Sequence, residues 1–368
     1  MPGPTRGGAI RARSTLTTPW RHPAGAADFT RSYQAITKVV RDTGLLRRAR
    51  WFYVVLFAGL TLALGGAVAG FLLLRGSWYE LLIAAALGVI FTQYAFLAHE
   101  AAHRQVFASG PRNDHAARLI GTVLVGISHT WWMTKHTRHH ANPNKVGKDP
   151  DIAMRTIVFR PETAAGRRGL VGAFTRRQGY LFFPLLLLEG INLHVQAVRL
   201  LLARRSPGHW RELALIATHF AVLFGAVFAL LPPGMAAAFV GVQLGVFGVY
   251  MGSSFAPNHK GMPLVGADEN LDFLTKQVRT SRNIRGRVWA SALMGGLNYQ
   301  IEHHLFPNMP RTRLFRTREI VREFCLARGI PYTETGVFAS YGAVIRHLNA
   351  VGLAARDPFE CPLLAARH

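Results

Sequence analysis

Cysteine is the residue type that this chain of 368 amino acids most clearly lacks, because it has only Cys325 and Cys361. Both lie near one end of the sequence and can close at most one short loop, which excludes a disulfide-stabilised framework. We therefore expect no thiol chemistry at an active site. We also expect no cleavable signal peptide, because the polar segment before Trp51 and the apolar run after it are both too long for one.

Acidic residues are also scarce. Aspartate and glutamate number 19 against 43 lysines and arginines, which gives a formal net charge of +24. Half of the residues are hydrophobic and only 17% are charged. A basic chain of this composition is typical of either a nucleic-acid-binding protein or a membrane protein. The lengths of the apolar runs decide between these two classes.

Four runs contain no charged residue and approach or exceed the roughly 20 residues with which a helix crosses a bilayer. They form two pairs, 51–74 with 81–98 and 213–231 with 234–256. A short turn separates the first pair, and Pro232 with Pro233 separates the second. Because two prolines cannot extend a helix, they mark a turn. The sequence therefore predicts four transmembrane helices in two hairpins.

The positive charges indicate the orientation of these hairpins. The first fifty residues carry ten lysines and arginines, residues 99–212 carry seventeen and residues 257–368 carry fifteen, whereas the two hairpin turns carry only Arg75. By the positive-inside rule, both termini and the middle segment lie in the cytoplasm of a multi-pass protein of the cell (plasma) membrane. This topology explains the net charge, so we expect membrane lipids rather than nucleic acid as partners.

The predicted fold class is an all-α integral membrane protein with a helical cap on its cytoplasmic side. Its expected parts are a basic N-terminal arm (1–50), the first hairpin (51–98), a cytoplasmic segment (99–212), the second hairpin (213–256) and a cytoplasmic C-terminal segment (257–368). Two weaker apolar runs, 119–133 and 179–195, are short or interrupted by polar residues. We predict that they form helices lying in the membrane interface.

Histidine is the residue type in excess, with sixteen copies, eight of them in four short clusters. The clusters are His99 with His103, His136 with His139 and His140, His259 alone, and His303 with His304. Spacings of three and four place side chains on one face of a helix, where imidazole nitrogens can converge on a metal ion. Gln300 stands where a further histidine would complete the pattern of the last cluster, and we expect it to orient a ligand by hydrogen bonding.

The predicted topology places all four clusters at the cytoplasmic ends of the spans or in cytoplasmic segments. Their eight nitrogens are enough for four on each of two metal ions, with open positions for water or O2. Imidazole binds iron, zinc and copper, so the ligand type does not choose the metal. We expect the other histidines to be structural or exposed to solvent, with His219 buried in the third span and hydrogen-bonded between helices.

These motifs resemble those of the integral-membrane fatty acid desaturases, in particular the acyl-lipid and front-end branch. The three histidine boxes are HEAAH from residue 99, HTRHH from residue 136 and QIEHH from residue 300. The segments HHANPNKVGKDPDI and SFAPNHKG are also similar to that branch. The resemblance covers about residues 30–350.

The resemblance implies a non-haem di-iron centre that uses O2 and two electrons to remove two hydrogens from an acyl chain carried by coenzyme A or a lipid. It implies that the iron ligands are His99, His103, His136, His139, His140, His259, His303 and His304. The position of the double bond, the preferred chain length and the acyl carrier stay open.

The expected electron donor is a separate protein. His22-Pro23-Ala24-Gly25 is similar to the haem-binding HPGG of the cytochrome b5 domain fused to many front-end desaturases. An alanine replaces the first glycine, however, and the segment before Trp51 is too short for that domain. We expect a ferredoxin or similar carrier with its NAD(P)H reductase, attracted by the basic cytoplasmic face.

Polar residues near the ligands are expected to orient them by hydrogen bonds. They are Glu100, Asp149, Asp151, Asn258, Asn298, Gln300 and Glu302. Trp131 and Trp132 fit either the wall of an apolar substrate tunnel or an aromatic belt at the membrane interface. The cations near the second box contact a substrate phosphate or form a solvated surface; they are Lys135, Arg138, Lys145 and Lys148.

Two other functions fit part of the pattern. A related membrane di-iron oxygenase, such as an alkane hydroxylase or a carotenoid ketolase, would share the clustered histidines. A histidine-rich metal transporter would also place histidines in a four-span bundle, but its ligands should lie near the bilayer midplane rather than at the ends of the spans. Desaturation is the function that the sequence favours.

Overall fold

A computed structural model describes residues 27–74, 76–154, 156–203 and 207–354. The HPAG tetrapeptide at 22–25, Arg75 and Cys361 lie outside these residues. The described residues are mostly helical, and two short strands, β1 (Asn283–Ile284) and β2 (Glu334–Thr335), pair in parallel with Asn283 opposite Glu334.

The described residues contain sixteen α-helices, a π-helical segment and two 3-10 turns. The α-helices are α1 (Ala27–Asp42), α2 (Arg50–Leu74), α3 (Glu80–Ala102), α4 (Gly110–Arg118), α5 (His129–Ala141), α6 (Pro161–Ala165), α7 (Gly169–Arg176), α8 (Gln178–Leu185), α9 (Glu189–Ala203), α10 (His209–Leu230), α11 (Pro233–His259), α12 (Phe273–Thr280), α13 (Arg287–Leu293), α14 (Gln300–Leu305), α15 (Arg311–Leu326) and α16 (Val337–Ala354). The π-helical segment is Leu119–Leu124, and the 3-10 turns are Leu186–Leu188 and Leu297–Tyr299.

The four predicted spans correspond to α2, α3, α10 and α11, which begin and end within about one helical turn of the predicted bounds. Helix α3 continues past the apolar run to Ala102 and α11 continues to His259, so both carry histidines on their last turns. Together with the continuous segment Gln178–Ala203, five helices among the described residues are long and apolar enough to cross a membrane. The fold is that of an all-α multi-pass membrane protein.

Helices α3 and α11 form the centre of the bundle. They pack closely at Gly88, where an added Cβ would lie 2.8 Å from the backbone oxygen of Gln243. Near the turns of the two hairpins, Phe71 of α2 packs edge-on against Phe239 of α11, with ring centroids 5.4 Å apart. Both hairpin turns therefore lie at one end of the bundle, and the histidine-bearing ends of α3 and α11 lie at the other.

The run 119–133, which the sequence predicts as one interfacial helix, is broken in two. The π-helical segment ends before Gly126, whose φ of +80° reverses the chain and where an added Cβ would lie 2.6 Å from the ring of His219. Ser128 then caps α5 by accepting a hydrogen bond from the backbone nitrogen of Trp131 at 3.0 Å. The prediction of one helix is wrong because the apolar character of the run conceals this glycine turn.

Glu212 of α10 fixes the start of α5. Its carboxylate accepts hydrogen bonds from the hydroxyl groups of Ser128 and Thr130 and from the backbone nitrogen of Thr130. The beginning of α10 therefore lies beside the helix that carries the second histidine box.

The run 179–195 belongs to a longer helical segment that consists of α8, a 3-10 turn and α9. At its start, the amide of Gln178 bonds to the backbone of Val158 and Leu348. At the start of α9, Gly190 lies against the carbonyl of Leu244 in α11. The segment is longer than the sequence predicts, and its first residue contacts the cap.

Helices from the N-terminal, middle and C-terminal parts of the chain pack together outside the four predicted spans, and we call them the cap. Helix α1 packs against α12 and α15, and α16 packs against α8 and α11. Ile36, Leu274, Leu305 and Val321 form part of its apolar core. Burial in this core raises the pKa of Cys325 to about 12, so the thiol stays protonated near neutral pH.

Candidate metal centre

All eight clustered histidines meet where the last turns of α3 and α11 enter the cap. They fall into two groups, and within each group the possible ligand atoms lie within 4.8 Å of one another. The first group is His99, His103, His136, His140 and His303, and the second is His139, His259 and His304.

Helix geometry explains this division. Consecutive residues of an α-helix are rotated by about 100°, whereas residues four apart are rotated by only about 40°. His139 and His140 on α5 therefore point to different groups, as do His303 and His304 on α14. The sequence predicts four ligands for each of two metal ions, and the structure differs from this by grouping them five and three.

The first group contains close contacts between imidazole nitrogens. The Nε2 atom of His136 lies 3.0 Å from Nε2 of His99 and 2.8 Å from Nε2 of His103. The Nε2 atoms of His140 and His303, and of His304 in the second group, are buried with no hydrogen-bond partner among the described residues. A buried polar atom without a partner is costly, and a metal ion would provide one for each of these nitrogens.

The protonation state of the rings also fits a metal ion. Burial, and then the neighbouring imidazoles, lower the pKa of His136, His140, His303 and His304. These rings are therefore neutral near pH 7, which is the form of histidine that binds metals. Their neutral state, the convergent nitrogens and the unpaired Nε2 atoms together show that the residues present fit a metal centre.

The second group includes a place for Gln300. His139 and His259 bring their Nε2 atoms to 3.3 Å from each other, and the amide nitrogen of Gln300 lies 2.9 Å from Nε2 of His259. The Nδ2 atom of Asn258 donates to the amide oxygen of Gln300 at 3.1 Å, which fixes the orientation of that amide. Gln300 thus occupies a fourth position beside the three histidines.

Asp149 and Asp151 lie beside His139, where the sequence places them. The Nδ1 atom of His139 is 3.1 Å from both carboxylate oxygens of Asp149 and 3.5 Å from Oδ2 of Asp151. Asp149 also accepts the backbone N–H groups of Asn144 and Asp151. Burial lowers the pKa of His139, but the two carboxylates outweigh it and raise the pKa. The hydrogen bond at Nδ1 leaves Nε2 of His139 facing the other ligands.

Two imidazoles are held by residues that the sequence analysis does not identify. The Nδ1 atom of His304 donates to Oε1 of Gln277 at 2.8 Å, and Nδ1 of His259 donates to the carbonyl of Thr280 at 3.0 Å. Both partners lie on α12, outside every histidine motif. The only local signal is that Gln277 stands on the buried face of an amphipathic helix.

Glu100 and Glu302, which the sequence places beside the ligands, bond to other groups. Arg311 donates to both carboxylate oxygens of Glu100, from Nε at 2.8 Å and from Nη2 at 2.6 Å. Glu302 accepts hydrogen bonds from Asn283 and Tyr332, and burial raises its pKa to about 7. Both carboxylates therefore join the ligand-bearing helices to the rest of the cap. Asn298 is fully buried, and its amide makes no hydrogen bond to a histidine among the described residues.

An apolar cavity reaches the centre at His99. Its walls come from α3, α11 and residues 117–132, and among the eight clustered histidines of the described structure only His99 lines it. Trp132 and Phe255 also line the cavity, and Trp132 stacks on His136 with centroids 4.7 Å apart. Of the two tryptophans considered for a tunnel wall, Trp132 lines this cavity, whereas Trp131 does not and is buried in the core.

His194 and His219 have structural roles. Their Nδ1 atoms lie 3.0 Å from the carbonyl oxygens of Gly126 and Val123, respectively. These carbonyls lie at and just beyond the end of the π-helical segment, where the regular helical bonds stop. The two histidines therefore support one wall of the cavity.

Comparison with known proteins adds sequence relationships to this geometry. The family model described as fatty acid desaturase matches residues 76–336, which include all eight clustered histidines. The Delta(8)-fatty-acid desaturase of Helianthus annuus is 30% identical over 349 residues, covering 90% of this chain and 75% of the relative. The Delta(6)-fatty-acid desaturase of Caenorhabditis elegans is 29% identical, with coverage of 86% and 74%. The Delta(5) fatty acid desaturase of the same organism is 28% identical, with coverage of 90% and 76%.

Proposed function

Because this chain belongs to the fatty acid desaturase family, we propose that its eight clustered histidines hold two iron ions for the O2-dependent desaturation of an acyl chain. The family confirms the prediction of a membrane fatty acid desaturase, an oxidoreductase that uses non-haem iron, an acyl substrate and an electron donor. The observation that carries the proposal is the pair of histidine groups, five and three, in direct contact through the stacked rings of His140 and His304.

The proposed reaction balances without further reactants. Two neighbouring CH2 groups each lose one hydrogen and become a double bond, and O2 is reduced to two molecules of water. That reduction takes four electrons and four protons, of which the substrate supplies two of each, the donor two electrons and the solvent two protons. Bound iron would supply the activation of O2.

The residues of the chain itself would position the substrate and the ligands. The cavity is apolar, so it suits an alkyl chain, and its approach to His99 would place one stretch of that chain beside the centre. Three imidazoles are fixed by hydrogen bonds at their Nδ1 atoms, on the side of the ring opposite to Nε2. The partners in these bonds are Asp149, Gln277 and the carbonyl of Thr280. Such hydrogen bonds hold a ligand in the orientation that binds metal.

We further propose four spans with both termini and the centre in the cytoplasm of the plasma membrane. The positive charge of the segments outside the hairpins supports this orientation. The fifth apolar segment begins at Gln178, which contacts the cap, and it ends at Ala203. Helix α10 begins six residues later, and its Glu212 bonds to the start of α5. Both ends of the segment thus lie towards the histidine side, which supports a position in the interface.

The domain boundaries follow from the same proposal. The hairpins at 51–98 and 213–256 would lie in the membrane, and residues 1–50, 99–212 and 257–368 on its cytoplasmic side.

The names of the relatives place their double bonds at positions 5, 6 and 8. These names support a double bond in the half of the acyl chain that is nearer to the carboxyl group. The carrier would be coenzyme A or a glycerolipid.

The test is expression of the chain in a host that lacks the activity, with its fatty acids analysed by mass spectrometry. We expect new double bonds with the wild-type chain and none with His303→Ala at equal membrane expression. An added oxygen in place of two lost hydrogens would instead support a hydroxylase or ketolase. Metal uptake without any change in fatty acids would support a transporter.

A further inference from the structure

The last turn of α11, which carries His259, is not held by the helix alone. The last carbonyl groups of a helix have no partner within the helix. Pro257 removes a further hydrogen bond, because proline has no N–H for the carbonyl oxygen of Ser253. The hydroxyl of Tyr341 donates to that oxygen instead, at 3.0 Å. The position of this turn therefore depends on other parts of the chain.

Arg282, which lies between α12 and β1, supplies most of the missing partners. Its Nε and Nη2 atoms donate to the carbonyl oxygen of Pro257 at 2.8 and 2.5 Å, and Nη2 also donates to that of Lys260 at 2.8 Å. Its backbone nitrogen donates to the carbonyl oxygen of Asn258 at 2.8 Å. Arg282 thus binds three of the four consecutive carbonyl oxygens from residue 257 to residue 260.

The positive charge of Arg282 suits this place. The side chain is only 4% exposed, and burial lowers its pKa to about 10, so it stays protonated near neutral pH. It takes part in none of the ion pairs within the described part of the chain. A buried cation without a carboxylate is costly, but the carbonyl end of a helix carries about half a negative elementary charge and stabilises a cation there. The end of α11 is therefore the electrostatic partner of this guanidinium.

The segment that carries Arg282 also holds two imidazoles of the second group. The carbonyl oxygen of Thr280 accepts from Nδ1 of His259 at 3.0 Å, and Oε1 of Gln277 accepts from Nδ1 of His304 at 2.8 Å. Arg282 attaches this same segment to the backbone on both sides of His259. One side chain thus links the turn that bears a ligand to the groups that orient two ligands.

We propose that Arg282 is a positioning residue for the second group, because it fixes the last turn of α11 in the place where His259 meets His139 and His304. The inference rests on the proposed metal centre and not on the reaction. The five histidines of the first group lie on or beside α3, α5 and α14. Loss of Arg282 should therefore weaken metal binding at the second group and leave the first group unchanged.

The experiment measures metal affinity without turnover. The full-length protein in nanodiscs is freed of metal by a chelator and titrated with Co2+, whose absorption reports each occupied site. Arg282→Met removes the charge and the hydrogen bonds, and Arg282→Lys keeps the charge but loses the planar guanidinium that binds two acceptors at once. Gln178→Met is the matched control, because Gln178 also makes three side-chain hydrogen bonds to the backbone, with Val158 and Leu348 and not with a clustered histidine.

In Arg282→Met we expect one Co2+ to bind about 10- to 100-fold more weakly than in the wild type and the other to stay within about 2-fold. Arg282→Lys should lie between the two, because its ammonium group can still reach a carbonyl. Both affinities should stay within about 2-fold in Gln178→Met, although its thermal stability falls. In the metal-free proteins, hydrogen exchange of the last turn of α11 should be faster in Arg282→Met and unchanged in Gln178→Met.

His259→Ala identifies the affected site. In that background, Arg282→Met should not change the affinity of the remaining Co2+ further, because the ligand that it positions is gone. A further loss there, or equal losses in Arg282→Met and Gln178→Met, would overturn the proposal. If Arg282→Met does not fold, Arg282→Lys decides, and wild-type affinity at both of its sites would overturn the proposal.

Two outcomes separate this inference from the proposed function. The expected loss at one site, in a protein whose wild type makes no double bonds, would support the role of Arg282 and count against the proposed reaction alone. Binding of fewer than two Co2+ ions by the wild type would contradict the proposed centre, and this inference with it.

Discussion

Gln300 has the most narrowly defined role of the single residues around the centre. Its amide nitrogen lies 2.9 Å from Nε2 of His259, and Asn258 holds its amide oxygen. A neutral amide binds iron weakly, but it can hydrogen-bond a ligand or a water molecule at the fourth position beside the three histidines. Its contribution should therefore be smaller than that of a histidine ligand.

For Gln300→Ala we expect a loss of about 10- to 100-fold in activity or iron affinity, the usual effect of removing a hydrogen-bond partner from a metal site. Gln300→His should keep partial activity, because the new imidazole can bind metal. His139→Ala and His303→Ala should abolish activity without preventing membrane insertion, which depends on the apolar helices. Activity assays and iron analysis check all four variants. Wild-type turnover in Gln300→Ala would show a role in packing only, and complete loss of iron would make Gln300 itself a ligand.

Residue spacing predicts much of this site. The intervals of three and four bring the histidines together, and Asp149 lies against His139 as expected. Spacing alone does not predict the five-and-three grouping, which depends on how far α5 and α14 are rotated against α3 and α11. It also misses Gln277 and Arg311, because only the tertiary fold brings Gln277 to His304 and Arg311 to Glu100.

Among the contacts between elements, the ion pair of Glu100 and Arg311 joins the end of α3 to the start of α15. Both side chains are buried, and the hydroxyl of Tyr53 accepts the backbone N–H of Arg311 at 3.3 Å. Glu100 follows His99 directly, so a shift of this carboxylate would move the first histidine box. A buried carboxylate that loses its partner typically costs about 3 to 5 kcal/mol.

Arg311→Met should therefore lower the thermal stability and the iron content of the purified protein. Glu100→Gln combined with Arg311→Met should be less damaging than Arg311→Met alone, because the double variant leaves no unpaired buried charge. Thermal unfolding and iron analysis of the two single variants and the double variant complete the cycle. Additive losses would mean that the two side chains act independently.

The turn at Gly126 separates the π-helical segment from α5. Gly126→Ala places a methyl group against the ring of His219 at a φ of +80°, so we expect a loss of stability of more than about 1 kcal/mol. Gly225→Ala is the matched control, because Gly225 lies within α10 with no atom within 4 Å of an added Cβ. There the substitution should be neutral or slightly stabilising. Thermal unfolding in detergent measures both changes, and equal effects would show that the turn tolerates a side chain.

The elements differ in how well the sequence predicts them. The two hairpins were predictable because long uncharged runs bounded by prolines or charges leave few alternatives. The run 119–133 was not, because Gly126 and the cap at Ser128 break it without lowering its apolar character. The segment from Gln178 to Ala203 continues through Pro184 and Glu189, where α16 packs against its α8 and α11 packs against its 3-10 turn and α9.

For the whole molecule, the proposed topology makes a prediction that does not depend on the catalytic account. Cysteines introduced at Ser77 and Gly234, in the two hairpin turns, should be labelled by a membrane-impermeant reagent on intact cells. Cysteines at the exposed residues Ala141 and Ala350 should be labelled only after permeabilisation. Labelling of position 141 on intact cells would place the histidine boxes on the wrong side for a cytoplasmic electron donor.

Metal analysis of the purified, active protein, together with Mössbauer spectroscopy of 57Fe, measures whether the eight imidazoles hold two iron ions. We expect about two irons per chain, in a coupled pair that is lost in His140→Ala, since His140 contacts both groups. One zinc and no iron per chain, or a single uncoupled iron in active enzyme, would show that the eight imidazoles do not hold a di-iron centre.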